Sequence, residues 1–140
     1  MQKIFLNTDG GSRGNPGNAG AGAVVSDDQG TVLKKTSKAL GIMTNNEAEY
    51  QAVILGLETL KKMYGKKLAN LDIVVRMDSE LVCKQLNGQY KVKEARLHTL
   101  FMVVWNVKVA DFPNITFTHI RREQNALADA MANEAMDRAE

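Results

Sequence analysis

The sequence is poor in several features that mark particular classes of protein. Its 140 residues include one cysteine, Cys83, which cannot form an internal disulfide and lies among apolar residues typical of a core. A lone thiol suits a reducing compartment. No apolar run approaches the roughly 20 residues needed to cross a bilayer, and the first residues lead straight into a strand pattern, with no signal peptide. We therefore expect a single cytoplasmic domain over residues 1–140, without a membrane partner.

A strong excess of charge of one sign is also missing. The formal net charge is +2, and the lysines and arginines fall in short clusters along the chain. Such clusters can contact nucleic-acid phosphates, but scattered lysines are more commonly just a solvated surface. Linkers, repeats and low-complexity tracts are absent as well, so any functional assignment has to come from motifs.

The opening stretch alternates apolar and polar residues from Lys3 to Asp9 and then becomes rich in glycine. Alternation with period two predicts a half-buried strand that carries the carboxylate of Asp9 at its carboxyl end. The glycines that follow predict a tightly turning loop that a large ligand can approach closely. An acid at such a strand end is typical of sheet enzymes, although an Asp-Gly hairpin turn would explain the same residues equally well.

The remaining patterns predict the element order βββαβα(α)βα, an α/β fold with a mixed sheet and helices on both faces. Further strands are expected over residues 19–26, 31–37, 71–78 and 115–120, and the lysine-rich third strand is expected at a sheet edge. Helices are expected from residue 45 onward, over residues 80–86 and 94–109, and after Asn125. Apolar stripes predict a core-facing side for the last two helices, formed by Leu97, Leu100, Phe101, Val104 and Trp105 and by Leu127, Met131 and Ala135.

Four acids are brought together by this element order. Asp9 and Asp78 end two strands that can lie side by side and parallel. The apolar stripe of the first helix, extended backwards, reaches Glu49 and not Glu47, and Asp129 lies near the start of the last helix. Converging carboxylates repel one another unless cations lie between them. Oxygen ligands without His or Cys favour Mg²⁺ or Mn²⁺, and two such ions about 3.5–4 Å apart would suit metal-dependent phosphodiester cleavage.

Four segments in this order resemble the motifs of the type I ribonuclease H family. They span essentially the whole chain and comprise Thr8-Asp9-Gly10-Gly11 with Gly14-Asn15-Pro16-Gly17, Thr44-Asn45-Asn46-Glu47-Ala48-Glu49-Tyr50, Met77-Asp78-Ser79-Glu80-Leu81-Val82, and Arg122-Glu123-Gln124-Asn125-Ala126-Leu127-Ala128-Asp129. The resemblance implies a ribonuclease H-like fold with a five-stranded sheet in the order 3-2-1-4-5. It also implies endonucleolytic hydrolysis of the RNA strand of RNA–DNA hybrids to 5′-phosphate and 3′-hydroxyl products.

The resemblance also implies a role for individual residues. The catalytic and metal-binding acids fall on Asp9, Glu49, Asp78 and Asp129, with two Mg²⁺ or Mn²⁺ ions and with Asp9 as the candidate bridge between them. The hybrid would be the partner, and no obligatory protein partner is evident. The expected substrate-binding residues are Gly10, Gly11, Asn15, Thr44, Asn45, Arg122 and Asn125. Helix capping is the alternative role for Asn45 and Asn46 and also for Asn125.

The sequence departs from the family pattern at three places. Residues 87–93 pass almost directly into the next helix, so we expect the basic helical protrusion of the family's best-studied members to be absent and binding to be salt-sensitive. Many relatives carry a histidine on a loop before the last acid, but that loop is short here. His119 is therefore assigned to a strand, with a catalytic role as the alternative. If His119 is structural, Arg121 or Arg122 could steady the scissile phosphate instead. Glu80 replaces a glutamine that contacts the hybrid in many relatives, and an ionised carboxylate cannot donate that hydrogen bond.

Two other functions compete with hybrid cleavage. A non-catalytic module that binds hybrids or duplexes would be expected to lack one of the acids, but all four are present. A nuclease of the same broad fold that acts on DNA, such as a resolvase or integrase core, would not be expected to carry the motifs around Asn45 and Asn125. One assay on RNA–DNA, RNA–RNA and DNA–DNA duplexes separates these alternatives.

Overall fold

The structure is a computed structural model that describes residues 1–139. Five strands form one mixed sheet in the order β3-β2-β1-β4-β5, and helices pack on both of its faces, as predicted. In chain order the elements are β1 Gln2–Gly14, β2 Gly17–Asp27, β3 Val32–Met43, α1 Asn45–Tyr64, β4 Leu71–Met77, α2 Glu80–Leu86, α3 Ala95–Asp111, β5 Ile115–His119 and α4 Ala126–Arg138. Short 3₁₀ helices cover Gly65–Asn70 and Arg122–Gln124. Within these residues no helix combines the length and apolar character of a membrane span.

The first strand continues well past Asp9, which corrects the expectation of a glycine loop at that point. β1 remains paired with β2 as far as Gly14 opposite Gly17, and the turn lies at Asn15 and Pro16. At Gly10 the strand needs a glycine because the backbone of α1 lies against it. A Cβ on Gly10 would overlap the carbonyl group of Ala48 in α1.

Asp9 nevertheless lies at the end of a parallel strand pair. The parallel pairing of β1 with β4 ends where Thr8 faces Met77. Asp9 and Asp78 are the residues that directly follow this last pair in the chain. The open carboxyl end of a parallel pair is a common place for ligands in α/β sheets, and here it presents two carboxylates.

One face of the sheet packs against α1 through large apolar side chains. Leu6, Ile73, Tyr50 and Leu57 are at most 1% exposed, and they belong to one continuous hydrophobic cluster. Cys83 is buried in the same cluster, as expected. The helix begins at a capping box, in which the backbone N–H of Glu47 donates to the Thr44 hydroxyl and the Thr44 N–H donates to the Glu47 carboxylate. Thr44 is therefore the N-cap, and Asn45 and Asn46 are helical.

The other face packs against α4 through small residues. Ideal Cβ atoms on Gly20 and Gly22 would lie 2.6 and 2.5 Å from the carbonyl oxygens of Ala132 and Ala128. The backbones of β2 and α4 therefore approach too closely for any side chain at these glycines. The predicted stripe of α4 is wrong in part, since Leu127 is 52% exposed and the buried residues are Ala128, Ala132, Ala135 and Met136.

The predicted core face of α3 is also only partly correct. Leu97 and Val104 are buried, and Leu100 and Phe101 pack partly against the core, but Trp105 is 45% exposed. The lysine-rich β3 lies at the sheet edge, as expected. Eight residues, 87–94, join α2 to α3 without a helix between them, so the family's helical protrusion is missing from this part of the chain.

Candidate active site

Three of the four predicted acids meet at the open end of β1 and β4. One carboxylate oxygen from each of Asp9, Glu49 and Asp78 lies within 4.8 Å of the other two. Asp9 and Glu49 are each 8% exposed, whereas Asp78 is half-buried. Three convergent oxygens from three different segments are the arrangement that a divalent cation requires.

The position of Glu49 depends on the close approach of α1 to β1. The backbone N–H of Gly10 donates a hydrogen bond to Oε1 of Glu49. Only glycine allows this contact, because a Cβ at position 10 would overlap the backbone of Ala48. Glu47 instead belongs to the capping box, so the prediction that Glu49 and not Glu47 faces the sheet is confirmed.

The fourth acid, Asp129, is held beside Asp9 by the first turn of α4. Its carboxyl group lies close enough to that of Asp9 to help raise the pKa of Asp9, and it lines the same cavity. It lies outside the 4.8 Å group formed by the other three acids. The four predicted residues thus share one site, with three in a tight group and the fourth adjacent.

Two of these acids, Asp9 and Glu49, have raised pKa values. Burial, together with the nearby charges of Asp78 and Asp129, raises the pKa of Asp9 to about 7. Burial, followed by the charge of Asp9, raises the pKa of Glu49 well above its usual value. Within residues 1–139 no lysine, arginine or histidine forms an ion pair with any of these four carboxylates. Buried acids without a cationic partner are the donor set expected of a divalent metal site, so the residues present fit such an ion.

The acids lie in an open cavity of about 540 Å³. Of the predicted substrate-binding residues, Gly10, Gly11, Asn45 and Arg122 line it, whereas Asn15 and Thr44 do not. Four polar lining residues had no site role predicted from the sequence, namely Ser12, Arg13, Ser79 and Asn133. Asn133 follows Asp129 by one helical turn, so helical spacing was the signal that could have identified it.

The side chain of Asn45 connects the start of α1 to the β1–β2 hairpin. Its Oδ1 accepts hydrogen bonds from the backbone N–H and the hydroxyl of Ser12, at 3.0 and 3.1 Å. Its backbone N–H donates to Oδ1 of Asn15 at 3.0 Å. Asn15 therefore supports the cavity rim without lining the cavity. The side-chain Nδ2 of Asn45 has no acceptor among the described residues.

The structure corrects the role expected for Asn125. Its side chain is 1% exposed. Its Nδ2 donates to the carbonyl of Thr8 at 2.8 Å and its Oδ1 accepts from Asn7 at 3.1 Å. Because both ends of the amide are already bonded inside the protein, Asn125 is not free to contact a substrate. Its side chain makes no capping bond to α4 either.

His119 and Glu80 lie at the periphery of the site. His119 is the exposed last residue of β5, the strand position that was predicted, and it does not line the cavity. Glu80 pairs with Lys84 at 2.9 Å, and this partner lowers the pKa of Glu80. Glu80 is therefore an ionised acceptor, as the sequence suggested.

Carboxylates clustered at one end of a mixed sheet are the donor set that metal-dependent phosphoryl-transfer domains use. The family model described as reverse transcriptase-like matches residues 7–135. LC11-RNase H1, isolated from compost by a metagenomic approach, superposes with a TM-score of 0.94 at 50% identity, covering 99% of each chain. A second structure of LC11-RNase H1 is a complex with an RNA/DNA hybrid, with a TM-score of 0.94 at 48% identity over 97% of this chain and 98% of that one.

Curated sequences point to the same family. Ribonuclease HI of Halobacterium salinarum is 38% identical over 98% of this chain and 66% of its own length. The bifunctional protein Rv2228c of Mycobacterium tuberculosis is 42% identical over 98% of this chain. This chain spans only 36% of the length of that protein. The chain belongs to the type I ribonuclease H family.

Proposed function

We propose that this protein is an endoribonuclease that hydrolyses the RNA strand of RNA–DNA hybrids, leaving 5′-phosphate and 3′-hydroxyl ends. The observation that carries the proposal is the meeting of Asp9, Glu49 and Asp78 oxygens within 4.8 Å in an open cavity. The hybrid complex of LC11-RNase H1, a relative at 48% identity, supports the choice of substrate.

The four acids would hold two Mg²⁺ or Mn²⁺ ions, with Asp9 central because it contacts both the tight group and Asp129. When bound, divalent ions supply an activated water and neutralise the charge that develops on a phosphodiester during in-line attack. The protein's own contribution is to hold the carboxyl groups fixed and close together. Gly10 fixes Glu49 through its backbone N–H, and the helical turn from Asn125 fixes Asp129.

Polar groups on the rim of the cavity would contact the hybrid. A 2′-hydroxyl distinguishes RNA from DNA. The cavity that would receive it is lined by Gly11 and Asn45, and the side-chain Nδ2 of Asn45 is available to bond it. Arg122 also lines the cavity and can contact a phosphate as a bidentate donor. Since the helical protrusion is missing, binding would depend on scattered cations such as Lys91 and Lys93 and would weaken with salt.

The test is cleavage of labelled RNA–DNA, RNA–RNA and DNA–DNA duplexes of one sequence, with Mg²⁺ or Mn²⁺. We expect only the RNA strand of the hybrid to be cut. Asp9→Asn should lower the rate at least ~10³-fold, because it removes the central ligand, while the hybrid still binds. Asp28→Asn is the matched control, since Asp28 is an exposed turn residue outside the site. Near-normal turnover of Asp9→Asn would refute the assignment.

The same assay decides between the competing functions. Cleavage of DNA–DNA duplexes would favour a DNA-acting nuclease of this fold. Hybrid binding without cleavage at any tested metal concentration would favour a non-catalytic binding module. End-labelling of the products distinguishes 5′-phosphate from 3′-phosphate chemistry.

A further inference from the structure

Three polar side chains behind the acids form a continuous hydrogen-bonded chain. Nε of Arg76 in β4 donates to Oδ1 of Asn7 in β1 at 2.8 Å. Nδ2 of Asn7 donates to Oδ1 of Asn125 at 3.1 Å. Nδ2 of Asn125 donates to the carbonyl of Thr8 at 2.8 Å. We call Arg76, Asn7 and Asn125 the polar relay.

The donor at one end of the relay and the acceptor at the other fix the direction of its hydrogen bonds. A guanidinium only donates hydrogen bonds and a backbone carbonyl only accepts them. Arg76 therefore turns the oxygen of Asn7 towards itself and the nitrogen of Asn7 towards Asn125. Asn125 must then turn its own nitrogen to Thr8. The orientation of each side-chain amide thus depends on the residue before it in the relay. If one member is lost, the amide of the next member is no longer held in one orientation.

Each member of the relay lies close in sequence to one acid of the site. The three members precede Asp78, Asp9 and Asp129 by two, two and four residues. Asn125 also connects directly to the last of these acids, because its carbonyl accepts the backbone N–H of Asp129 at 3.0 Å. The relay therefore joins the three segments that carry these acids at one point behind the site.

Two relay residues do not make the interactions that are usual for their residue type and position. Asn125 stands at the N-cap position of α4, where asparagine is a favoured capping residue, yet its side chain bonds to β1 instead. Arg76 is half-buried with its guanidinium 4.2 Å above the ring of Phe5. Within residues 1–139 it forms no ion pair with a carboxylate. Its interactions are those of an orienting donor.

We propose that Arg76, Asn7 and Asn125 are positioning residues that hold β1, β4 and the start of α4 in the arrangement where Asp129 meets Asp9. The inference rests on the proposed function for the role of the acids. Partners that orient metal-binding side chains commonly contribute 10–100-fold to metal affinity or activity.

The experiment measures Mn²⁺ binding by calorimetry and, separately, kcat and KM for hybrid cleavage. We expect Asn7→Ala to lower Mn²⁺ affinity and kcat by roughly 10-fold while KM for the hybrid is unchanged. Asn18→Ala is the matched control, because Nδ2 of Asn18 also joins the sheet to α4, through the Met136 carbonyl at 3.1 Å, but near the far end of the helix. Asn18→Ala should leave Mn²⁺ affinity within about twofold.

Arg76→Met separates positioning from electrostatics by the sign of its effect. Removal of a positive charge near the site would tighten Mn²⁺ binding if charge alone mattered. Loss of orientation in the relay should weaken it instead, by about 3–10-fold. Methionine retains an apolar stem of similar length, so this variant is expected to fold even if Asn7→Ala does not.

Unchanged or tighter Mn²⁺ binding in Arg76→Met would overturn the positioning role. So would losses in Asn7→Ala no larger than those in Asn18→Ala. If the wild-type protein itself neither binds Mn²⁺ nor cleaves the hybrid, the proposed function fails, and that outcome is distinct from failure of the relay alone.

Discussion

The face of the sheet that carries α1 is filled by large side chains, whereas the face that carries α4 meets its helix through glycine and alanine. On the first face, buried residues such as Leu6, Leu57 and Tyr50 hold the helix by apolar area. On the second, Gly20 and Gly22 let the helix backbone touch the strand. Burial of large side chains provides stability, while close backbone approach brings the acid on α4 to the acids on the sheet.

The comparison explains why the site lies where it does. Glu49 comes from the helix on the large-residue face and Asp129 from the helix on the small-residue face. Both reach Asp9 at the end of the sheet. We therefore expect truncation of the large side chains that pack against α1, away from Gly10 and Glu49, to reduce stability with little effect on metal binding, and changes on the α4 face to affect both.

Leu57→Ala should have the largest effect on stability. Leu57 is 1% exposed within the main cluster, so its truncation should lower the free energy of unfolding by about 2–5 kcal/mol. Hybrid cleavage at a temperature where the variant is folded should stay within about twofold of wild type. Denaturant unfolding measures the first and initial rates the second. Glu58→Ala, on the exposed side of the same helix, is the control and should be nearly neutral. A large fall in rate for folded Leu57→Ala would contradict the division between the faces.

Gly22→Ala should cost less stability but more activity. The added Cβ would lie 2.5 Å from the Ala128 carbonyl oxygen and 2.6 Å from the Ala132 nitrogen. Because backbone atoms cannot move aside as a flexible side chain can, α4 must shift. We expect the free energy of unfolding to fall by about 1–3 kcal/mol. Because Asp129 moves with the helix, we expect the cleavage rate of the folded variant to fall about 10-fold.

Gly56→Ala on the opposite face is the matched control for this change. Its Cβ would meet only the end of the Leu6 side chain, 2.7 Å from Cδ2. The side chain can adjust, and alanine favours helix by about 1 kcal/mol over glycine. The net change in stability should be under ~1 kcal/mol, with normal cleavage. Equal losses of activity in Gly22→Ala and Gly56→Ala would refute the distinction.

The smallest effect concerns the pH dependence of the metal-free protein. A carboxyl group in the unfolded chain has a pKa near 4, whereas burial and neighbouring acids raise the pKa of Asp9 to about 7 in the folded protein. Between these values the folded state binds more protons than the unfolded state. The stability that Asp9 contributes is therefore complete below about pH 4 and is lost as pH rises through about 7.

Asp9→Asn removes this titration. In EDTA at about pH 8 we expect the variant to be more stable than wild type by about 1–2 kcal/mol, and the difference should shrink at about pH 5. Asp28→Asn should show no such trend. Mn²⁺ should reverse the order of stability, because only wild type binds it well. A difference that is constant across pH would show that the Asp9 carboxyl does not titrate in this range.

Local patterns were sufficient for the element order and the acids. Alternation in β1, the stripe of α1 and the capping segment at Thr44 depend on near neighbours, so they predicted the elements correctly. The same stripe distinguished Glu49 from Glu47 correctly. The lysines of β3 likewise predicted the sheet edge.

The errors share a different cause. The glycines after Asp9 predicted a loop, but Gly10, Gly11 and Gly14 are residues of β1, and Gly10 and Gly11 face α1 and α4. Leu127 and Trp105 have the spacing of core residues yet are exposed, because periodicity does not say which side of a helix meets the sheet. Asn125 looked like a cap or a substrate ligand, and only its bonds to Asn7 and Thr8 show its place.

The amino-acid sequence alone determined which segments become strands and helices and which acids end them, because these properties follow from residue preferences over a few positions. Tertiary structure alone decided how far β1 runs, which face of α4 is buried and how the polar relay is directed. The extent of β1 depends on its pairing with β2, and the other two features depend on contacts between segments distant in sequence, such as Asn7 with Asn125, so no local pattern encodes them.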